Sequence, residues 1–210
     1  MASETPREII VLEEDLPQQF ADSLQRAEVI AWDIETSGLD WQRDRIGLCQ
    51  ICAPEGPVFV VRPTWRRPER MMRLLQSSAP KKVFHHAMFD LRFMCYQWGV
   101  TPYSIVCTKV ASKLLDPRAE LEHSLKNLLH RYLGLVISKA ERTSDWFTLD
   151  LTEAQLRYAA TDVVHLIPLI DELERHLRKE GIWGLALSCF AHLPARVQLE
   201  LLGYGDVFGY

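Results

Sequence analysis

Short apolar runs alternate with amphipathic stretches through the first half of this 210-residue chain, and the second half is almost wholly helical in pattern. Glu8 to Leu12 reads as an edge strand. Asp15 to Ala27 places Leu16, Phe20 and Leu24 on one face at helical spacing, with Asp15 as its candidate cap. Val29 to Glu35 is apolar until it ends in acids, the pattern of a central strand that empties into a site. Thr36 to Arg45 is a polar loop. Ile46 to Ala53 and Val58 to Val61 read as strands joined by the turn Pro54-Glu55-Gly56-Pro57. A helix over Pro68 to Gln76 follows, then a strand over Lys82 to His85. Ala87 to Trp98 reads as a helix closed by Gly99, Ser104 to Cys107 as a strand and Thr108 to Leu115 as a helix. Helical spacing then predicts helices over Leu121 to Tyr132, Glu153 to Lys179 and Trp183 to Leu202, with a charged polar loop from Gly134 to Leu149.

Strands first, with a meander and crossovers, then helices, is an α/β plan: a mixed sheet of five to six strands flanked by helices. The chain has no internal repeat, no low-complexity segment and no linker, so one domain over 1–210 is expected. Its core runs over about 29–175, and a helical tail over about 183–210 is a candidate oligomer interface.

Hydrophobic residues at 48% and charged residues at 25% are those of an ordinary globular domain. The formal charge of −4 argues against a surface that grips long nucleic acids by counterion release. It leaves room for a short nucleic-acid substrate held by metals and a few local cations. The five cysteines are odd in number, the first ten residues carry no leader pattern, and no apolar run reaches membrane-span length. Reduced thiols and a cytoplasmic location are therefore expected. Cys49 and Cys52 sit in a strand pattern and read as buried structural residues, not as a redox pair.

The chemistry is carried by acids spread over most of the chain. Asp33 and Glu35, two apart on a strand, point to the same face. Asp90 falls in the first turn of the helix after the fourth strand. Tyr158 and Asp162 share a helix face at i and i+4. Clustered carboxylates repel one another unless cations neutralise them, and oxygen-only ligands select hard divalent ions such as Mg²⁺ or Mn²⁺. Two such ions clamp the attacking and leaving oxygens of a phosphoryl transfer. Each residue also has a plain reading: Asp-x-Glu recurs by chance, Asp90 suits a helix dipole, and Tyr158 packs as any helical tyrosine. Leu39, in the loop past the acids, is either an apolar finger between bases or a loop leucine folded back on the core. His85 and His86 either touch phosphate or simply close a strand. Lys139 and Arg142 either line the rim for phosphates or are solvated.

Taken together, the residues resemble the DEDDy branch of the 3′-to-5′ exonucleases, in the manner of ribonuclease D, over about Val29 to Ile170. Asp44-Arg45-Ile46, Ser144-Asp145-Trp146 and Tyr158-Ala159-Ala160-Thr161-Asp162-Val163 are similar to ribonuclease D-type segments. Cys107-Thr108-Lys109-Val110-Ala111-Ser112-Lys113-Leu114 and Cys189-Phe190-Ala191-His192-Leu193-Pro194-Ala195-Arg196 are similar to the compact nanoRNase C group, which extends the resemblance to nearly the full length.

The resemblance implies a ribonuclease H-like (DnaQ-type) exonuclease fold with an extra C-terminal helix. It implies hydrolysis of very short RNA oligonucleotides, dinucleotides above all, to nucleoside 5′-monophosphates. Asp33, Glu35, Asp90 and Asp162 carry over as ligands of two Mg²⁺ or Mn²⁺ ions, and Tyr158 as the catalytic tyrosine. Leu39 carries over as a base wedge, and His85 and Lys139 as substrate contacts. Closed homo-oligomers, in the form of ring-like octamers, are implied as well. Arg142, Trp41 and the pair Arg66-Arg67 match no mark of the family. The rival readings are trimming of longer RNA or DNA 3′ ends and, more remotely, an inactive nucleic-acid scaffold.

Overall fold

The computed structural model describes residues 7–63, 66–118, 121–137, 145–148 and 150–209. Its strands are β1 Ile9–Glu13, β2 Val29–Thr36, β3 Ile46–Cys52, β4 Val58–Arg62, β5 Lys81–Phe84 and β6 Ile105–Cys107. They form one six-stranded sheet in the order β1-β4-β3-β2-β5-β6. β2, β3 and β4 make an antiparallel meander, while β5 and β6 run parallel on the other side of β2. β1 pairs parallel to β4 at one edge. The fold class and the edge position of the first strand are as the sequence predicts.

The helices are α1 Gln18–Arg26, α2 Glu69–Gln76, α3 Ala87–Trp98, α4 Thr108–Leu114, α5 Leu125–Leu128, α6 Glu153–Val164, α7 Leu166–Lys179 and α8 Trp183–Leu201. All seven residues of β3 are buried, which explains why its pattern is apolar without alternation. Trp32, fully buried, stacks on Phe84 with ring centroids 6.1 Å apart and fixes β2 against β5. Gly99 closes α3 at φ 66°, where a side chain is disfavoured, and its N–H bonds the Cys95 carbonyl at 2.9 Å. Cys49, Cys52, Cys95 and Cys107 are free and buried. Burial pushes the Cys52 thiol up to about 11 and that of Cys95 to about 12, so both are inert at neutral pH. Among the described residues, no helix is long and apolar enough to cross a membrane.

The structure departs from the sequence pattern at three places. Asp15 does not cap the helix that follows it, because α1 starts beyond Pro17 with no side-chain cap. Its carboxylate instead accepts the Arg70 and Met71 backbone N–H groups at 2.8 and 3.2 Å, so it caps α2 across the fold. The helix expected from Leu121 starts only at Leu125. The Ser124 side chain accepts from Asn127 N as its cap, and Asp116 holds Leu121 N at 2.8 Å and His123 at 3.2 Å outside the helix. A π-helical turn over Leu129–Leu133 then ends at Gly134. The single helix expected over Glu153 to Lys179 breaks at His165. Pro168 lacks the N–H that would bond the Val164 carbonyl, and its ring crowds that oxygen.

Candidate functional site

β2 delivers its acids through strand alternation. Trp32 and Ile34 turn into the core, and Asp33 and Glu35 to the opposite face. The pairing with β3 slips between Glu35 and Thr36, a bulge that ends the regular strand beside the acids. α3 starts directly after β5 and brings Asp90, 2% exposed, against the same end of the sheet. α6 lies over β2 and β3. Its Ala159 and Ala160 are buried and small, which permits the close approach that puts Tyr158 and Asp162 over the strand ends.

Carboxylate oxygens of Asp33, Glu35 and Asp162 lie within 4.8 Å of one another. Asp90 and Tyr158 line the same cleft of about 220 Å³, together with His85, His86, Phe89, Leu125, Lys126 and Ile137. Burial, followed by the charges of Asp90, Asp162 and Glu35, drives the Asp33 carboxyl well above its usual range. Burial and the charges of Asp162 and Asp90 push Glu35 up to about 8. Burial pushes Asp90 to about 7, against the helping backbone N–H groups. Acids that resist ionisation in each other's company are a site short of positive charge. An all-oxygen donor set of this spacing fits a hard divalent cation. Asp33, Glu35 and Asp162 are the residues that would hold it, with Asp90 beside them.

Tyr158 is braced by Trp146, whose buried ring lies 6.0 Å away. Asp162, one turn on, lines the same cleft. Burial first, then the charges of Asp162, Glu35 and Asp33, raise the phenol above its ordinary 10, so it is no base at neutral pH. The start of α6 is fixed by a capping box between Thr152 and Gln155, and the Gln155 amide also donates to the Asp145 carbonyl at 3.0 Å. That bond ties the Trp146 segment to the helix carrying Tyr158.

The structure places the remaining predicted residues unequally. His85 lines the cleft, with Nδ1 at 2.9 Å from the Oγ1 of fully buried Thr108. Leu39 is 83% exposed on the β2–β3 loop and is not part of the cleft lining. That loop is pinned by Asp44, which accepts from Ser37 Oγ at 3.0 Å and Asp40 N at 2.8 Å. A side chain at Gly38 would meet the Asp44 carboxylate, so glycine leaves that carboxylate its place in the loop. Lys139 and Arg142 lie outside the described residues. Two residues escaped the sequence reading: Lys126, a cation in the cleft wall, and Thr108, which orients His85. The Ser124 cap was the available signal for Lys126, because it sets the start of α5.

A family model described as 3′-5′ exonuclease matches residues 9–178. DNA polymerase I of Aquifex aeolicus is 31% identical over 156 residues, which are 74% of this chain and 25% of that protein. Ribonuclease D of Gluconacetobacter diazotrophicus is 37% identical over 108 residues, 51% of this chain and 27% of that protein. The chain thus spans about a quarter of the length of these two relatives. Among solved structures, one described as the apo form of the nuclease superposes with a TM-score of 0.90 at 36% identity, covering 98% of this chain and all of the other. Brucella melitensis NrnC gives 0.88 at 34% identity, covering 97% and 98% of the two chains. It has also been solved bound to pGG and with bound Mg²⁺. Escherichia coli RNase D, at 21% identity and a TM-score of 0.78, shares the fold. With the model covering most of its length and the acids gathered at one end of its sheet, the chain belongs to the 3′-5′ exonuclease family.

Proposed function

We propose that the cleft hydrolyses the 3′-terminal phosphodiester of very short RNA oligonucleotides, dinucleotides above all, and releases nucleoside 5′-monophosphates. The observation that carries this reading is the meeting of Asp33, Glu35 and Asp162, far apart in sequence, within 4.8 Å. It is supported by the full-length likeness to Brucella melitensis NrnC, a protein solved with pGG and with Mg²⁺. The small cleft also suits a short substrate.

Asp33, Glu35, Asp90 and Asp162 would hold two divalent cations, Mg²⁺ or Mn²⁺. When bound, such ions offset the carboxylate charge and stabilise the charge that develops on the phosphoryl and leaving oxygens. Tyr158 orients the attacking water, a role its raised phenol allows while proton abstraction is closed to it. The water oxygen bonds to phosphorus and gives up a proton to solvent as the bond to the 3′-oxygen breaks, and that oxygen leaves with a proton from solvent. His85 and Lys126 face the substrate phosphates from the cleft wall, Leu39 separates the bases, and Lys139 is the further substrate contact that the resemblance implies.

The same reading takes the chain into a homo-oligomer, a ring-like octamer by resemblance. Its support is the exposed tail of Leu202, Tyr204, Val207 and Phe208, together with an apolar groove of about 950 Å³ between β6 and α8. Light scattering on the purified chain tests it, and a monomer at micromolar concentration would dismiss it.

The decisive assay is incubation of 5′-labelled RNAs of about two to ten nucleotides with Mn²⁺ or Mg²⁺. Stepwise 3′ shortening that favours the dinucleotide and stops in EDTA is expected. Equal or faster rates on the longest RNAs would move the reading to general 3′-end trimming.

A further inference from the structure

A second pocket, of about 710 Å³, shares no lining residue with the cleft and belongs to none of the machinery described above. Four arginines line it: Arg43 and Arg45 from the β2–β3 loop, and Arg66 and Arg67 from the segment before α2. Against them the lining holds one acid, Asp44, whose carboxylate is occupied by Ser37 Oγ and Asp40 N. Neighbouring acids offset part of this charge, since Arg43 pairs with Asp40 at 3.5 Å and Arg66 with Glu14 at 3.6 Å. Arg67 donates to the Trp98 carbonyl. On a chain of net charge −4, four clustered arginines make a local reversal of sign.

Aromatic rings stand among these cations. Tyr96 and Phe147 line the pocket and are 50% and 49% exposed, unusual for rings of that size. Tyr96 is propped edge-on by Trp41 at 4.9 Å, which keeps its ring upright at the rim. Guanidinium groups bind phosphate in a bidentate fork, and exposed rings offer a face for a base. The volume lies in the range of small-molecule sites.

The pocket also adjoins the catalytic end of the sheet. Its floor includes Ile46, which pairs with Thr36 directly beyond Glu35. Phe147 packs over Gly47, where an added side chain would press on the ring at 3.0 Å. It follows Trp146, whose ring lies 6.0 Å from that of Tyr158.

We propose that this pocket binds a nucleotide, its phosphate on the arginines and its base against Tyr96 and Phe147. The proposal deepens the nuclease reading and rests on it for the source of that nucleotide. The occupant is either the 5′ portion of the RNA whose 3′ end lies in the cleft or the mononucleotide that hydrolysis releases.

Binding in EDTA separates this proposal from the catalytic reading, because hydrolysis is off and the cleft lacks its cations. Isothermal titration of the full chain with 5′-AMP, and with an RNA of about five nucleotides, is compared with the variant R43S/R45S. Both arginines are exposed and lie outside the cleft. Wild-type protein is expected to bind, and the variant to bind about tenfold more weakly, with a log–log salt slope shallower by about 1.4 for the RNA. AMP bound as well as the RNA identifies released mononucleotide as the occupant. Binding of RNA alone identifies the 5′ portion of the substrate. Arg45→Ser alone, with a melting curve like wild type, guards against a misfolded double variant. Failure of wild type to bind either probe, or unchanged binding by the variants, overturns the proposal. A wild-type chain that binds in EDTA yet never hydrolyses RNA with Mn²⁺ would instead overturn the nuclease reading.

Discussion

Trp146 and Tyr158 lie with ring centroids 6.0 Å apart and planes tilted by 31°, so a buried indole sets the angle of the tyrosine that faces the acids. The tyrosine hydroxyl is the part that acts, and the indole only holds it. Tyr158→Phe is therefore expected to lower kcat by about 100-fold with little change in KM, the loss typical of a misplaced reacting group. Trp146→Leu is expected to lower kcat by less and to lower Tm as well, because it removes a core ring. Steady-state kinetics on a dinucleotide, beside thermal melts, distinguish the two. Equal kcat for Tyr158→Phe and wild type would remove the tyrosine from the mechanism.

The acids make the metal-free protein sensitive to pH in a direction opposite to that of an ion-paired carboxylate. Glu35 titrates at about 8 in the fold against an ordinary 4.5, and Asp90 at about 7 against 3.8. Between those values the native state holds protons that the unfolded chain has lost, so stability falls as pH rises. One such proton is worth about 1.4 kcal/mol per pH unit, an upper figure for groups that solvent still reaches. Urea midpoints in EDTA are expected to decline from pH 5 toward pH 8, and saturating Mn²⁺ is expected to restore them at the alkaline end. A midpoint that stays flat in EDTA would contradict the crowding of charge in the cleft.

The same repulsion gives Asp90→Asn two opposite effects. Losing one buried negative charge relieves its neighbours, so the variant in EDTA should melt higher than wild type at pH 8. Losing a ligand weakens cation binding, so the rise in Tm on adding Mn²⁺ should shrink and turnover should fall by about 100-fold or more. Differential scanning fluorimetry with and without metal reads both effects from one sample. A lower Tm in EDTA would mean that Asp90 serves the fold and not the charge cluster.

The acids and Tyr158 were legible because each sits in a local pattern: two residues apart on a strand, at a helix start, one turn apart on a helix. What the pattern could not show was any partner supplied from elsewhere in the chain. Asp15 looks like the cap of its own helix and caps α2 instead. Lys126 faces the cleft only because Asp116 and Ser124 delay the start of α5. The four arginines of the second pocket come from two segments that meet beside the sheet, and nothing local to the pair Arg66-Arg67 shows which loop it meets. Asp15→Ala tests the first of these: loss of a two-bond cap should cost about 1–2 kcal/mol in urea unfolding, with kcat unchanged. A cost near zero would show that the Arg70 and Met71 N–H groups find water as readily.

Leu39 separates stability from function most cleanly. At 83% exposed it contributes almost nothing to the core, so Leu39→Ala should shift stability by no more than about 0.5 kcal/mol. A leucine held in solvent on a loop that Asp44 pins through Ser37 Oγ and Asp40 N is poised to bury itself on something else. If that something is a nucleobase, its truncation forfeits the burial only when substrate is bound. kcat/KM on a dinucleotide should then fall by about tenfold, in keeping with the transfer of a partly buried leucine side chain from water. Leu39→Met, which keeps most of the apolar reach, should recover most of that loss. Kinetics of Leu39→Ala indistinguishable from wild type would leave the residue with no part in binding.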